Sequence, residues 1–266
     1  MPHPQGLITL LTDFGDRDSF VASMKGVILT IHPDARIVDL SHQIAPHQIE
    51  EAGYVLHSCY RSFPDGTIHV AVVDPGVGSA RRPLLVATSR CYFIAPDNGL
   101  LTQVLRDERH VEIRQIEQTP SRLQSAGATF DGRDLFAPAA AWLARGRSFA
   151  SFGRLVDDPV GLQLDEPVWR DRELVGRIVS VDRFGNLISN ITAKHLDDVR
   201  TVTQRTSPTI RIAERSIEGL VACYSDGQPN HPCALVNSHG RLEFFIQESS
   251  AARALNVRAG EQVRVT

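Results

Sequence analysis

The stretch LITLLTDFGDRDSFVASMKGVILTIHPDARIVDLS, residues 7–41, decides the fold class. Its first apolar run stops at Asp13, as a buried strand does. Phe20, Met24, Val27, Ile28 and Ile31 then recur at helical spacing, and Pro33 ends that run. ARIVDLS reads as a second strand. A strand, a helix and a strand joined by short loops form a βαβ unit with parallel strands.

Outward from this unit the pattern continues. PHQIEEAGYVLHSCYRSFP is a second helix with Pro46 near its start, and GTIHVAVVD is a third strand that ends at Asp74. PLLVATS and CYFIAPDNG have strand lengths, while GLLTQVLRD and RDLFAPAAAWLARG read as helices. The expected fold class is α/β, a mainly parallel sheet covered on both faces. Such sheets take ligands beyond the carboxyl ends of their strands. Asp13 and Asp74 both stand where a strand run stops.

From about residue 150 the character changes. RLVDDPVGLQLDEPVWRDRE has three prolines, many charges and no periodicity, and reads as a connecting segment. LVGRIVSVD, TIRIAE, CALVNS, RLEFFIQ and EQVRVT follow as short β-branched runs between turn residues. The expected organisation is an N-terminal α/β domain over 1–165 and a small all-β, barrel-like domain over 166–266.

Composition narrows the function classes. The 266 residues are 42% hydrophobic and 22% charged, enough apolar material for a sizeable core. A net charge of -3 with dispersed basic residues supplies no field for nucleic acid or an anionic membrane. The four cysteines form neither CxxC pairs nor a disulfide framework, which suits free thiols in a reducing compartment. No run approaches the ~18 apolar residues a membrane span needs. The expectation is a soluble, cytoplasmic protein without nucleic-acid or membrane partners. The 10 histidines contain no HExxH, so no metal is expected.

Several short motifs have two readings each. TDFGDRDSF holds a DFG triplet, but no kinase glycine-rich loop, strand lysine or catalytic loop accompanies it. Its carboxylate suits ribose hydroxyls, while Asp16 or Asp18 suits a helix N-cap. DPGVGSARR lacks the GK[ST] ending of a phosphate loop; it reads either as a carboxylate and an arginine facing each other or as a surface ion pair bracing the turn. In TFDGRDLFAP, Asp134 suits a helix cap. VDRFGNLISNI sets Phe184 between Asp182 and Asn186, which suits a heterocyclic base or an Asx-type turn. NSHGRLE is a polar turn with the same two readings.

In this order the blocks TDFGDRDSF, DPGVGSARR, APDNGLLT, TFDGRDLFAP, VDRFGNLISNI and NSHGRLE, spanning about residues 8 to 252, resemble the S-adenosylmethionine (SAM) hydroxide adenosyltransferase family. That family is related to SAM-dependent fluorinases and chlorinases. The resemblance implies hydrolysis of SAM to adenosine and L-methionine, with SAM as substrate and no further cofactor or metal. It also implies a homotrimer with sites between the N-terminal domain of one subunit and the C-terminal domain of its neighbour.

The family's ribose-binding aspartate falls on Asp13, with Asp18 and Ser19 in the same loop. Its adenine- and methionine-facing positions fall on Asp182, Phe184, Asn186, Ser238 and His239. An Asp, an Arg and a His gather near ribose C5′ in the hydroxide-using branch, and the first two fall on Asp74 and Arg81. A carboxylate at Asp74 repels halide, which argues for water or hydroxide. The third position departs: the family pattern TFHGRD is TFDGRD here, so Asp131 replaces the histidine. The exchange removes a group that titrates near neutrality and puts a second anion near the first, which Arg81 offsets if it bridges both. Two alternatives remain open: a SAM- or adenosine-binding protein with little turnover, and a SAM-dependent halogenase.

Overall fold

β1 (Leu7–Thr12) is buried at every position, so both faces of its sheet are covered. The computed structural model describes residues 2–117, 127 and 129–266, and the chain divides into two compact units, Met1–Leu162 and Gln163–Thr266. In the first unit β1 is followed by α1 (Phe20–Ile31), β2 (Arg36–Ser41), α2 (Ile49–Cys59), β3 (Ile68–Val72), β4 (Pro83–Ala87), β5 (Tyr92–Pro96), α3 (Thr102–Asp107), β6 (Glu112–Gln115) and α4 (Ala137–Ala144). The sheet order is β2-β1-β3-β5-β4-β6. The β2, β1, β3 and β5 neighbours run parallel, and β4 is antiparallel to both β5 and β6.

The period-two alternation of strand side chains sorts the core into two halves. Ile8, Leu10, Val70, Val72, Leu85 and Ile94 pack in one cluster with Met24 and Ile28 of α1 and Ala140 of α4. Leu11, Ala71, Val73, Leu84, Val86 and Phe93 face the other way, against Ala52 and Leu56 of α2 and Val104 of α3. The result is a three-layer α/β/α unit in which each fully buried Leu or Ile contributes roughly 1.5–3 kcal/mol.

The second unit carries β7 (Val168–Arg170), β8 (Glu173–Val181), β9 (Leu187–Thr192), α5 (Ala193–Thr203), β10 (Thr209–Ile212), β11 (Arg215–Glu218), β12 (Cys233–Val236), β13 (Arg241–Phe245), α6 (Ala251–Leu255) and β14 (Gln262–Val265). Its sheet order is β11-β10-β14-β8-β9-β13-β12, with β7 also on β8, and every pairing is antiparallel. The nine-residue β8 pairs with β14 through Leu174–Arg177 and with β9 through Ile178–Val181, so one strand serves two partners and the sheet curls into a barrel-like form. Leu174, Ile178, Leu187, Phe244 and Val263 fill its interior.

The α/β class with a barrel-like second unit stands as the sequence reading expects. Three elements differ in detail. The segment read as a connector contains the short strand β7. The β-rich unit also carries two helices, of which α5 starts at a reciprocal cap: Thr192 Oγ1 accepts from His195 N and Thr192 N donates to His195 Nδ1. Neither Asp18 nor Asp134 caps a helix. The N-cap of α1 is Ser19, without a side-chain bond, and Asp134 sits inside a π-helical turn, Gly132–Phe136. Among the described residues no helix is long and apolar enough to cross a membrane.

Candidate active site

β1 and β3 are parallel neighbours with Thr12 opposite Val72, so Asp13 and Asp74 leave the sheet at the same edge. The antiparallel course of β4 brings Arg81 back there. Pro83 opens β4 opposite Pro96 at the end of β5, so the loop from Asp74 to Arg82 begins and ends at one edge of the sheet. The loop is tight: Val77 N donates to Asp74 O, and Ser79 N to Gly76 O. A Cβ at Gly76 would rest 3.4 Å from Arg81 Cγ and 3.7 Å from Asp74 Oδ1, so the backbone and the ion pair pack directly together.

The Arg81 guanidinium grips Asp74 from the side: Nε donates to Oδ1 at 3.0 Å and to Oδ2 at 2.9 Å, and Nη2 donates to Oδ2 at 2.5 Å. The same Nη2 donates to Asp131 Oδ2 at 2.5 Å. The side chains of Asp74, Arg81 and Asp131 are only 5%, 11% and 11% exposed. Burial opposes the charge of Arg81, but the hydrogen bonds and charges of Asp74 and Asp131 outweigh it and raise its pKa above the ordinary guanidinium value. Its Cζ also lies 5.3 Å from the Phe136 ring centroid, against a π-helical turn of the kind that clusters at functional sites.

Removing ions from water costs several kcal/mol each, so a buried carboxylate–guanidinium–carboxylate trio is weak as a stability device and expected at a functional site. The next residue, Arg82, also ties the loop to its surroundings. Arg82 Nε donates to the buried Asp97 at 2.7 Å and Nη1 to the exposed Asp158 at 2.5 Å, while Asp97 Oδ1 accepts from Val160 N.

Asp13 is half-buried, and its Oδ2 accepts from His47 N at 2.9 Å. The backbone around it is fixed by Gly15 N donating to His42 O and Phe14 N donating to Thr12 Oγ1. Asp18 and Ser19 are exposed at the start of α1. Phe14, Phe20 and Phe130 form an aromatic cluster beside this loop, with ring centroids 5.1 to 5.9 Å apart.

In the second unit the Asx-turn reading of VDRFGN is realised. Asp182 Oδ1 accepts from Phe184 N at 2.9 Å and Asn186 N at 2.8 Å, and Asn186 Nδ2 donates to Asp182 Oδ2 at 3.1 Å. That Asx turn, with Gly185 at φ 85, pushes the Phe184 ring out until it is 78% exposed. A Cβ at Gly185 would collide with Ser250, so the turn needs glycine on two counts. Asp182, Phe184 and Asn186 line a cleft of about 710 Å³ together with Tyr224, Phe245 and Arg253. Ser238 and His239 lie outside that lining, on an exposed turn where His239 N donates to Asn237 Oδ1.

The sequence reading missed Tyr224 and Glu243. Tyr224 stands edge-on to Phe245 at 5.0 Å, and its hydroxyl donates to Glu243 Oε1 at 2.7 Å. Burial, then the hydrogen bond and charge of Glu243, push the phenol pKa well up. The LE of NSHGRLE was visible, but pairing it with a tyrosine nineteen positions earlier needs the strand register. Among the described residues no group of three His, Cys, Asp or Glu side chains is placed to hold a metal ion.

An α/β unit with a charged trio at its strand ends, and an antiparallel unit with an aromatic, amide-edged cleft, define a two-unit protein equipped for small polar ligands. The profile of the SAM hydroxide adenosyltransferase N-terminal domain matches residues 8–153, and that of the C-terminal domain matches residues 176–264. The chain belongs to the SAM hydroxide adenosyltransferase family. It is 35% identical to an (R)-S-adenosyl-L-methionine hydrolase of Methanocaldococcus jannaschii, over 97% of this chain and 95% of that one. A fluorinase of an Actinoplanes species is more distant, 28% identical over 98% of this chain and 97% of its own. The crystal structure of an uncharacterized conserved protein from Thermotoga maritima superposes with a TM-score of 0.89 at 30% identity, covering 97% of this chain and 99% of that one.

Proposed function

We propose that the chain hydrolyses SAM to adenosine and L-methionine by in-line displacement at ribose C5′. The observation that carries this reading is the Arg81 Nη2 that bridges Asp74 and Asp131 at the strand ends. In the proposed step a water oxygen forms the new C5′–O bond as the C5′–S bond breaks. The bonding pair leaves with sulfur, which becomes a neutral thioether, and the water proton passes through Asp74 to solvent. The sulfonium is already a good leaving group, so the difficulty lies in the nucleophile: bulk water has a pKa of about 15.7.

Arg81 supplies positive charge for the developing hydroxide, and Asp74 accepts a proton or hydrogen bond and aims the oxygen. Asp131 holds the guanidinium in place. Alignment supplies roughly 7–11 kcal/mol in favourable cases and one preorganised donor about 3–4 kcal/mol. Positioning therefore outweighs acid–base exchange, and turnover survives the absence of the histidine. Asp13 serves the ribose hydroxyls, with Asp18 and Ser19 in the same loop. Phe184 and Asn186 serve the base, and Asp182, Ser238 and His239 the methionine side.

The proposal includes a homotrimer in the cytoplasm. A second reading, a SAM- or adenosine-binding protein with little turnover, is favoured by Asp131 in the histidine position. Chromatography of the protein incubated with SAM separates them: equimolar adenosine and methionine, rising with time and independent of halide, support hydrolysis. No adenosine beyond one equivalent per chain supports the binding protein, and a halide-dependent 5′-halo product would make it a halogenase.

A further inference from the structure

The block APDNGLLT, residues 95–102, takes no part in the proposed reaction, yet it stands where the charged loop has to cross the sheet. β3 and β4 follow each other in the chain, but the sheet order sets β5 between them. β5 is parallel to β3 and antiparallel to β4, so its carboxyl end shares one edge with the end of β3 and the start of β4. The loop from Asp74 to Arg82 therefore passes over the end of β5. Asp97 and Asn98 are the two residues that follow that strand.

These two residues bond to both feet of the loop. The parallel ladder sets Tyr92 N on Thr67 O, and its period of two would bring Asn98 N to Val73 O. Asn98 N donates to Pro96 O at 3.0 Å instead, and the side-chain amide takes its place: Nδ2 donates to Val73 O at 2.8 Å. Asn98 Oδ1 accepts from Leu100 N at 3.2 Å, which fixes the amide's orientation. At the other foot Asp97 N donates to Arg82 O at 2.8 Å, and Arg82 Nε donates to Asp97 Oδ2 at 2.7 Å. The Asp97 side chain is 2% exposed and its Oδ1 accepts from Val160 N at 2.8 Å, so both carboxylate oxygens are engaged. Val73 directly precedes Asp74, and Arg82 directly follows Arg81.

We propose that Asp97 and Asn98 are positioning residues for the displacement: by fixing the two feet of the loop they hold Asp74 and Arg81 in register with each other. The inference rests on the proposed reading of the trio as the reacting centre. Asp97 and Asn98 act through the loop and not on the substrate. A misplacement of about 1 Å transmitted in this way can cost about a hundredfold in rate.

The test pairs SAM turnover with amide hydrogen exchange on the full chain. Asn98→Ala removes the bond to Val73, and Asp97→Asn weakens the grip on Arg82 while keeping the side chain's shape. Each should lower kcat about tenfold to a hundredfold, with KM for SAM within about twofold of the parent. In an Arg81→Ala background the same changes should cost no more than about threefold, the non-additivity of groups that act through one another. The amides of Val77 and Ser79, bonded within the loop, should exchange about tenfold faster in each variant, while those of β1 keep the parent's rates.

An unchanged kcat per folded chain would overturn the proposal, as would losses that multiply in the Arg81→Ala background. So would a KM that rises as much as kcat falls. If Asn98→Ala does not fold, an unchanged kcat in Asp97→Asn overturns it alone. A parent that releases no adenosine from SAM contradicts the hydrolase reading. Unchanged exchange at Val77 and Ser79 then overturns the loop-holding role as well, and faster exchange confined to the loop supports it.

Discussion

Arg81 Nη2 donates to Asp131 Oδ2 at 2.5 Å across a separation of 50 residues. The same nitrogen holds Asp74, so one guanidinium is fixed from two sides by carboxylates that arrive on different elements. A side chain as flexible as arginine gains a single orientation from this arrangement, before any substrate arrives. Preorganised charge of that kind acts on the transition state without reorganisation cost during the reaction.

Removing either half of the Asp74–Arg81 pair should therefore slow chemistry far more than binding. Arg81→Ala and Asp74→Asn are expected to lower the single-turnover rate of adenosine formation by about a hundredfold to a thousandfold. SAM affinity, measured by calorimetric titration, should change by less than about fivefold. Equal losses in rate and affinity would make these residues binding or structural groups.

Asp131→His places an imidazole beside Arg81, where the family pattern has one. An imidazole ordinarily titrates near pH ~6.5. The variant's pH–rate profile is expected to acquire a limb within about a unit of that value, which the parent, with no imidazole in the trio, lacks. Identical profiles would place residue 131 away from the reacting groups.

Phe184 is held out by its turn and leans on little of the protein, being 78% exposed. Phe184→Ala should leave unfolding free energy within about 0.5 kcal/mol of the parent, as at an ordinary surface position. Loss of a stacking face should raise KM for SAM about tenfold, given ~1–3 kcal/mol per stacked base. A large drop in melting temperature with unchanged KM would assign the ring to folding instead.

His69 gives a pH effect on stability with a definite sign. It lies fully buried on β3, sharing a 2.8 Å hydrogen bond with Thr9 Oγ1, and burial depresses its pKa to about 3. In the unfolded chain it protonates near pH ~6.5. Between those values the unfolded state binds the extra proton, so stability falls as pH drops, by about 1.4 kcal/mol per unit, and this contribution levels off below the folded pKa. Denaturant midpoints from about pH 6 to 4 should fall more steeply in the parent than in His69→Gln. Equal slopes would mean the imidazole is charged in the folded chain.

Much of the first unit was legible because its signals are local. Ile8, Leu10 and Leu11 stop at Asp13, and Met24, Val27, Ile28 and Ile31 keep helical spacing, so β1 and α1 are spelled out within the residues that form them. α5 was hidden: only Leu196 and Val199 of its eleven residues are buried, and its cap uses His195 where a Glu or Gln would give the motif away. β6 was hidden for a similar reason, since Glu112, Arg114 and Gln115 outnumber its one buried residue, Ile113. Within the site, the turn around Asp182 was readable because its partners lie within four residues. The Arg81–Asp131 and Tyr224–Glu243 bonds depend on which strands and turns the fold makes neighbours, and no short window contains that information.

The central claim concerns the origin of one oxygen atom, and isotopic labelling addresses it directly. The protein is incubated with SAM in water enriched in heavy oxygen, and the adenosine product is fragmented in a mass spectrometer. The account predicts one label per adenosine, located at the 5′ position, with methionine unlabelled. Adenosine without the label, or label carried by another product, would contradict a solvent oxygen delivered to C5′ between Asp74 and Arg81.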